Sequence, residues 1–352
     1  MRFHLLFALA LVAAGARASS VSNEVHVNST QPTETNPRSG SIGDSLNASF
    51  DATENFTLNV GGTLTSQNSS PSPRPAEQPS PGVSLLNFGV DWLPSDNWTL
   101  SLTGEWSPQS KTFADAPIAS VGIAHIRSET SEVGGGLEVA YDTAGESNLE
   151  WSFSGGLTLT DYGIDQTIPL VTNPAGQPLT PAQVRTAVAS ACAKRANRTN
   201  CQRRVLLGLT ATPFHLNSLE FSASATATLQ TNTDLTLAID YYSYFQDATQ
   251  AVYASLIFNG RGGAGVPVAP LQFNVRPEVT HRIGAFSAKA WIQAGKYVAG
   301  VGDTTAGVGV KLQYKFSKAF KLWVSLLGSR DVDDQGNETR SGSFGLGAGY
   351  RF

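Results

Sequence analysis

Apolar and polar residues alternate one by one along much of the chain after Ile42. Between Phe56 and Leu64, for example, every second residue is apolar or Gly, and the residues between them are Thr, Asn or Gly. Side chains point to opposite faces along a β-strand, so this period of two predicts strands with one apolar face and one polar face. Short turns, such as the one at 53–55, connect these strands into hairpins.

The same hairpin recurs along the chain, which predicts an all-β protein. The copies lie at 42–64, 84–107, 131–161, 217–246, 269–298 and 305–330, and a last strand covers 341–352. Polar, Pro- and Gly-rich segments separate them, at roughly 67–82, 108–130, 162–215, 247–268, 299–304 and 331–341. Tight turns at one end and long loops at the other are the asymmetry of a transmembrane β-barrel. Aromatic residues near the strand ends are typical of its interfacial girdles.

The number of strands follows from the hairpins. Six hairpins and the last strand give thirteen strands, whereas single-chain bacterial barrels have an even number. Val25 and Val27, in the polar segment 19–41, can open a fourteenth strand. We therefore expect a single antiparallel barrel of fourteen strands over 42–352 with a possible first strand in 19–41, and twelve strands is the alternative.

Both termini carry features of an exported membrane protein. Residues 1–18 combine Arg2, an apolar run and an Ala-Arg-Ala end, which predicts a cleaved signal peptide. The chain ends on an alternating strand with Tyr350 and Phe352 on its apolar face. This ending resembles the last strand of Gram-negative outer-membrane β-barrels. The resemblance implies an outer-membrane location, contact with outer-membrane lipids and lipopolysaccharide, recognition of the last strand by the barrel-assembly machinery, and a possible homo-oligomer.

Charges on the predicted inner face are sorted along the chain. The strands before Gln246 carry acids on the polar face, and those after Leu271 carry mostly bases, with Glu278 as the one acid. The acidic wall comprises Asp51, Asp91, Glu105, Glu132, Glu138, Glu150, Glu220 and Asp240. The basic wall comprises Arg276, Arg282, Lys289, Lys311, Lys315, Lys321 and Arg351. Either a water-filled lumen carries a transverse field, or the two walls neutralise each other as a packed ion-pair core.

The segment 162–215 is longer than a connection requires. Thr180 and Pro181 predict the start of a short helix that continues over 182–196. Cys192 and Cys201 are the only cysteines, and in an exported protein they are expected to form a disulfide. Arg and Lys residues around this pair predict a basic knob that narrows the mouth, contacts lipopolysaccharide phosphates or is a stapled surface loop.

The sequence predicts a channel without catalytic activity, metal or cofactor. No Gly-x-Ser-x-Gly or His-Glu-x-x-His motif occurs, and the cysteines have no nearby pair of His residues for zinc. The formal net charge of −4 does not indicate a nucleic-acid partner. The expected function is passive diffusion of small polar or charged solutes.

Two alternative functions remain open at this point. One is a non-conducting barrel for adhesion or envelope structure. The other is a hydrophobic-compound transporter similar to the long-chain fatty-acid and aromatic-hydrocarbon channels. That family is implied to have an N-terminal hatch with an Asn-Pro-Ala motif, which here occurs only at 173–175, in a predicted outer loop.

Overall fold

Fourteen antiparallel strands close into one barrel in the computed structural model. Each strand pairs with its neighbours in sequence, and β1 pairs with β14 to complete the ring. The structure describes residues 18–30, 39–68, 82–118, 121–143, 149–193, 198–199, 201–202, 206, 214–229, 232–248, 271–298, 303–332 and 338–351. The predicted all-β barrel of fourteen strands is confirmed, and the predicted signal peptide lies, except for Ala18, outside the described residues.

The strands are β1 Ala18–Thr30, β2 Ser39–Thr53, β3 Phe56–Asn68, β4 Gly82–Ser95, β5 Trp98–Ile118, β6 Gly122–Asp142, β7 Leu149–Thr172, β8 Phe214–Leu229, β9 Thr233–Tyr244, β10 Leu271–Ile283, β11 Phe286–Tyr297, β12 Thr304–Lys315, β13 Phe320–Val332 and β14 Glu338–Arg351, and helix α1 is Pro181–Cys192. Short turns such as 54–55 and 284–285 join hairpins at one end of the barrel, which we call the turn end. The opposite end is the loop end.

The burial pattern is inverted relative to that of a soluble protein. On β12, Val308 is 57% exposed, while Gly307 and Gly309 beside it are buried. The same contrast of exposed apolar residues with less exposed polar or small ones runs along β9. Apolar side chains therefore face outward, where a bilayer would cover them, and the polar face lines the lumen. This is the architecture of outer-membrane β-barrels, as predicted.

Strands β5, β6 and β7 extend well past their neighbours at the loop end. Most of the predicted loop 108–130 is strand, since β5 reaches Ile118 and β6 begins at Gly122. The predicted loop 162–215 likewise begins as strand up to Thr172. These two loop assignments were wrong for a physical reason: outside the bilayer neither face must be apolar, so the alternation that marks a membrane strand is lost.

Helix α1 packs on this extended sheet. Thr180 caps it as predicted: its Oγ1 accepts a hydrogen bond from the Gln183 backbone N–H, and Gln183 Oε1 accepts one from the Thr180 backbone N–H. The helix ends at Cys192, earlier than the predicted 196, and the predicted Cys192–Cys201 disulfide is present. Among the described residues, no helix is long and apolar enough to span a membrane.

The apolar face of α1 has a defined partner. Val184, Val188 and Cys192 pack against Ala124 of β6 and Val171 of β7. These two residues oppose each other across the β6–β7 ladder, and Ala124 is on the same face of β6 as the lumen position Glu132. The helix therefore covers a surface continuous with the lumen face, above the membrane-spanning part of the acidic wall.

Candidate functional site

All residues predicted for the two walls lie on the lumen face. Directly opposed residues of an antiparallel pair share a face, so the pairing register identifies them. Asp51, Asp91, Glu138 and Asp240 lie on one continuous row of paired residues across β2 to β9. On the other side of the barrel, Lys289 opposes Lys311, and Lys315 opposes Lys321. The strand order therefore separates the acids from the bases across the lumen.

Neutral donors hold several carboxylates of the acidic wall. Asp91 accepts hydrogen bonds from Asn59 Nδ2 at 2.6 Å and Ser101 Oγ at 2.7 Å. Asp240 accepts one from Asn274 Nδ2 at 3.2 Å, and Asp51 accepts one from Thr57 Oγ1 at 3.0 Å. These donors orient the carboxylates without cancelling their charge.

Tyrosines join the acidic wall toward the loop end. Glu132 shares hydrogen bonds with Glu105 and with the Tyr162 hydroxyl. Glu220 shares a hydrogen bond with the Tyr242 hydroxyl. Each Tyr opposes its Glu directly in the pairing register. Neither tyrosine was predicted as a lumen residue, although both occupy the polar parity of their strands. A small apolar cluster containing Leu216 and Ala248 packs beside Tyr162 on the same face.

The basic wall carries more acid than the sequence indicated. Lys289 Nζ lies 2.8 Å from Glu278 Oε1, and Arg276 Nε lies 3.6 Å from Glu278 Oε2. Arg282 pairs with Asp234 across β9 and β10. Glu278 is not the only acid on this wall, because β1 closes against β14 and brings Glu24 beside Lys321. Sequence order alone placed β1 far from the basic strands.

We call the group formed by Glu24, Lys321 and Trp323 the seam clasp. Trp323 Nε1 donates to Glu24 Oε1 at 2.8 Å, and Lys321 Nζ lies 3.0 Å from Glu24 Oε2. Both partners belong to β13 and reach over β14 to β1. They can do so because β14 has glycines here: a Cβ at Gly347 would overlap the Trp323 ring, and one at Gly349 would lie 2.5 Å from Lys321 Cε.

The lumen tryptophans lie against the wall. A Cβ at Gly309 would overlap the Trp291 ring, just as one at Gly347 would overlap Trp323. Lys311 Nζ stands 4.5 Å above the Trp323 ring, a cation–π contact. Glycines on neighbouring strands thus let these bulky side chains lie flat against the inner wall of the barrel.

The remaining predicted features are only partly described. Tyr350 faces outward and is 46% exposed, whereas Phe352 lies outside the described residues. In the predicted basic knob, Arg185 and Arg198 are exposed, and Lys194, Arg195, Arg203 and Arg204 lie outside the described residues. The part of the chain that the structure describes holds no group of three His, Cys, Asp or Glu side chains suited to a metal ion.

Comparisons with known proteins find similarity in structure alone. No protein-family model and no curated protein matches the sequence. Similar solved structures include Pseudomonas aeruginosa OccK11, with a TM-score of 0.41, 11% identity and 95% of each chain covered. Acinetobacter baumannii OccAB1 has a TM-score of 0.45 and 8% identity, over 96% of this chain and 98% of that one. Pseudomonas putida OprB has a TM-score of 0.44 and 8% identity, over 98% and 96%. Similarity at this level carries no argument about substrate or strand number.

Proposed function

We propose that the protein is an outer-membrane channel for passive diffusion of small polar or charged solutes. The observation that carries this proposal is the arrangement of the bulkiest lumen side chains. Trp291 and Trp323 lie over Gly309 and Gly347 instead of crossing the lumen. In a barrel with a filled interior, such large side chains would point inward and pack against each other. Tryptophan rings that lie flat over glycines on the barrel wall leave the centre of the lumen open.

The separation of charge supports the polar character of the solutes. Acids on β2 to β9 face bases on β10 to β14, so the field crosses the lumen from one wall to the other. A transverse field orients polar solutes, and it disfavours apolar solutes that would displace aligned water. Several wall charges are fixed by hydrogen bonds, as Asp91 is by Asn59 and Ser101, so the field does not depend on mobile side chains.

Single-channel recording tests the proposal directly. The refolded full-length barrel is inserted into a planar bilayer in KCl, and discrete current steps are expected. A barrel that is folded by the gel criterion of heat-modifiable migration yet passes no current would refute the channel. In that case a vesicle-uptake assay with an apolar aromatic probe and a cell-adhesion assay would distinguish the two alternative functions.

A further inference from the structure

The outward faces of β6, β7 and β8 change from apolar to polar at one level near the loop end. The last apolar outward residues there are Val133, 52% exposed, Leu159, 55% exposed, and Leu219. The next outward positions toward the loop end hold Ser131 on β6, Asp161 and Gly163 on β7, and Asn217 and His215 on β8. This level is the border between the hydrocarbon core and the headgroup region, where the ester groups of lipids lie.

Three chemically active side chains lie close together at this border. His215 Nδ1 lies 3.4 Å from Asp161 Oδ1. Ser131 and His215 both oppose Gly163 in the register, one from each neighbouring strand. A Cβ at Gly163 would lie 2.7 Å from Ser131 Oγ and 3.3 Å from His215 Cε1. The hydroxyl and the imidazole ring therefore both lie next to the position that a side chain at Gly163 would occupy.

We propose that Ser131, His215 and Asp161 form a catalytic triad on the outside of the barrel that hydrolyses acyl esters of outer-leaflet lipids. In serine hydrolases, a serine, a histidine and an acid act as the nucleophile, its general base and the group that orients the base. The three residues are far apart in sequence, and the strand register alone brings them together. This activity goes beyond the channel and departs from the expectation, drawn from sequence motifs, that the chain is not an enzyme.

The chemistry requires no group that the chain lacks. His215 takes the hydroxyl proton as Ser131 Oγ attacks the ester carbonyl, and the carbonyl π electrons move to oxygen. Collapse of this intermediate breaks the bond to the lipid alcohol, which leaves with the proton from His215. Water, activated by the same imidazole, then releases the fatty acid and restores Ser131. Asp161 stabilises the imidazolium in both halves.

The surroundings suit a lipid ester. Ser131 Oγ and the His215 ring already cover Gly163, so the ester carbonyl would approach Ser131 from the lipid side. Asn217 opposes Asp161 on the same face, and its side-chain amide is the candidate donor to the oxyanion. Val133 and Leu159 are exposed at this border, and Phe245, which follows β9 and donates its backbone N–H to Asn217 O, is 64% exposed. They continue the apolar surface along which the acyl chain would lie.

Fatty-acid release by the refolded full-length barrel tests this proposal. The barrel is assayed in detergent micelles containing a diacyl phosphatidylcholine, with each variant checked for folding by heat-modifiable migration. Ser131→Ala and His215→Ala should each lower the rate about 10²–10⁴-fold. The matched control is Ser243→Ala, which removes an outward-facing serine from β9 and should leave the rate unchanged. Gly163→Ala should also lower the rate, because its methyl group would displace the Ser131 hydroxyl and the His215 ring.

A fluorophosphonate probe gives a readout that does not depend on the choice of lipid. Mass spectrometry should find the probe on Ser131 of the wild type, and His215→Ala should remove most of the labelling. A folded wild-type barrel that neither releases fatty acid nor reacts with the probe would overturn the triad. Equal hydrolysis by wild type and Ser131→Ala would do the same. Neither result touches the channel proposal, which depends on current through the lumen.

Discussion

The seam clasp should contribute measurably to barrel stability. Glu24 on β1 accepts the Trp323 N–H and pairs with Lys321, so Glu24→Ala removes both interactions. Trp323 is only 8% exposed, and leaving its N–H without a partner costs about 1–3 kcal/mol. The Lys321 side chain is 39% exposed, so solvent screening limits the ion pair to about 0.5–1 kcal/mol. The free energy of unfolding should therefore fall by about 1.5–4 kcal/mol.

Two further variants separate the contributions. Glu24→Gln keeps an oxygen acceptor for Trp323 and loses only the ion pair, so its loss should be about 0.5–1 kcal/mol. Glu338→Ala removes an exposed acid that pairs with Arg330 at the loop end, and it should leave stability unchanged. Urea unfolding in lipid vesicles, followed by tryptophan fluorescence, measures all three. If Glu24→Ala unfolds at the same urea concentration as the wild type, the clasp does not stabilise the seam.

Three further predictions concern the lumen and its mouth. The first variant reverses charge on the basic wall by combining Lys311→Glu, Lys315→Glu and Lys321→Glu. It should raise the potassium-to-chloride permeability ratio measured in a KCl gradient. An unchanged reversal potential would contradict the transverse field. Gly309→Leu should displace the Trp291 ring into the lumen and lower the single-channel current, whereas Gly328→Ala, where a Cβ has its nearest neighbour at 4.0 Å, should not. Reduction of the Cys192–Cys201 disulfide should alter current or gating, because α1 packs on the surface continuous with the lumen face. Identical current traces with and without reductant would place α1 and the disulfide outside the solute path.

The barrel itself could be predicted because the bilayer imposes a strong pattern. A lipid-facing position must be apolar, and a lumen position need not be. Residue type therefore alternates along a strand together with exposure, as at the exposed Val308 and the buried Gly309. The same parity places Asp91 and Lys311 on the face opposite to the exposed apolar residues. Where water lies on both sides, as along β5 after Ser107, the constraint vanishes, and the strand was read as a loop.

Contacts between distant strands could not be predicted. The register that places Ser131, Gly163 and His215 side by side depends on strand bounds and bulges that alternation does not determine. The closure of β1 on β14 likewise brings Glu24 to Lys321 across nearly the whole sequence. The alternation within one strand predicts which face of the barrel each residue lies on. Its neighbours on adjacent strands are known only from the pairing register.

The two proposed activities occupy opposite faces of the same strands, and this makes them separable. Ser131 and Glu132 are adjacent in β6, yet Ser131 faces outward beside Gly163 and Glu132 faces the lumen beside Tyr162. Ser131→Ala should therefore abolish lipid hydrolysis while the channel current stays as in the wild type. Glu132→Gln should shift ion selectivity toward chloride while the rate of fatty-acid release is retained. If both substitutions changed both activities together, the effects would come from disturbed folding, and neither assignment of residues to a face would stand.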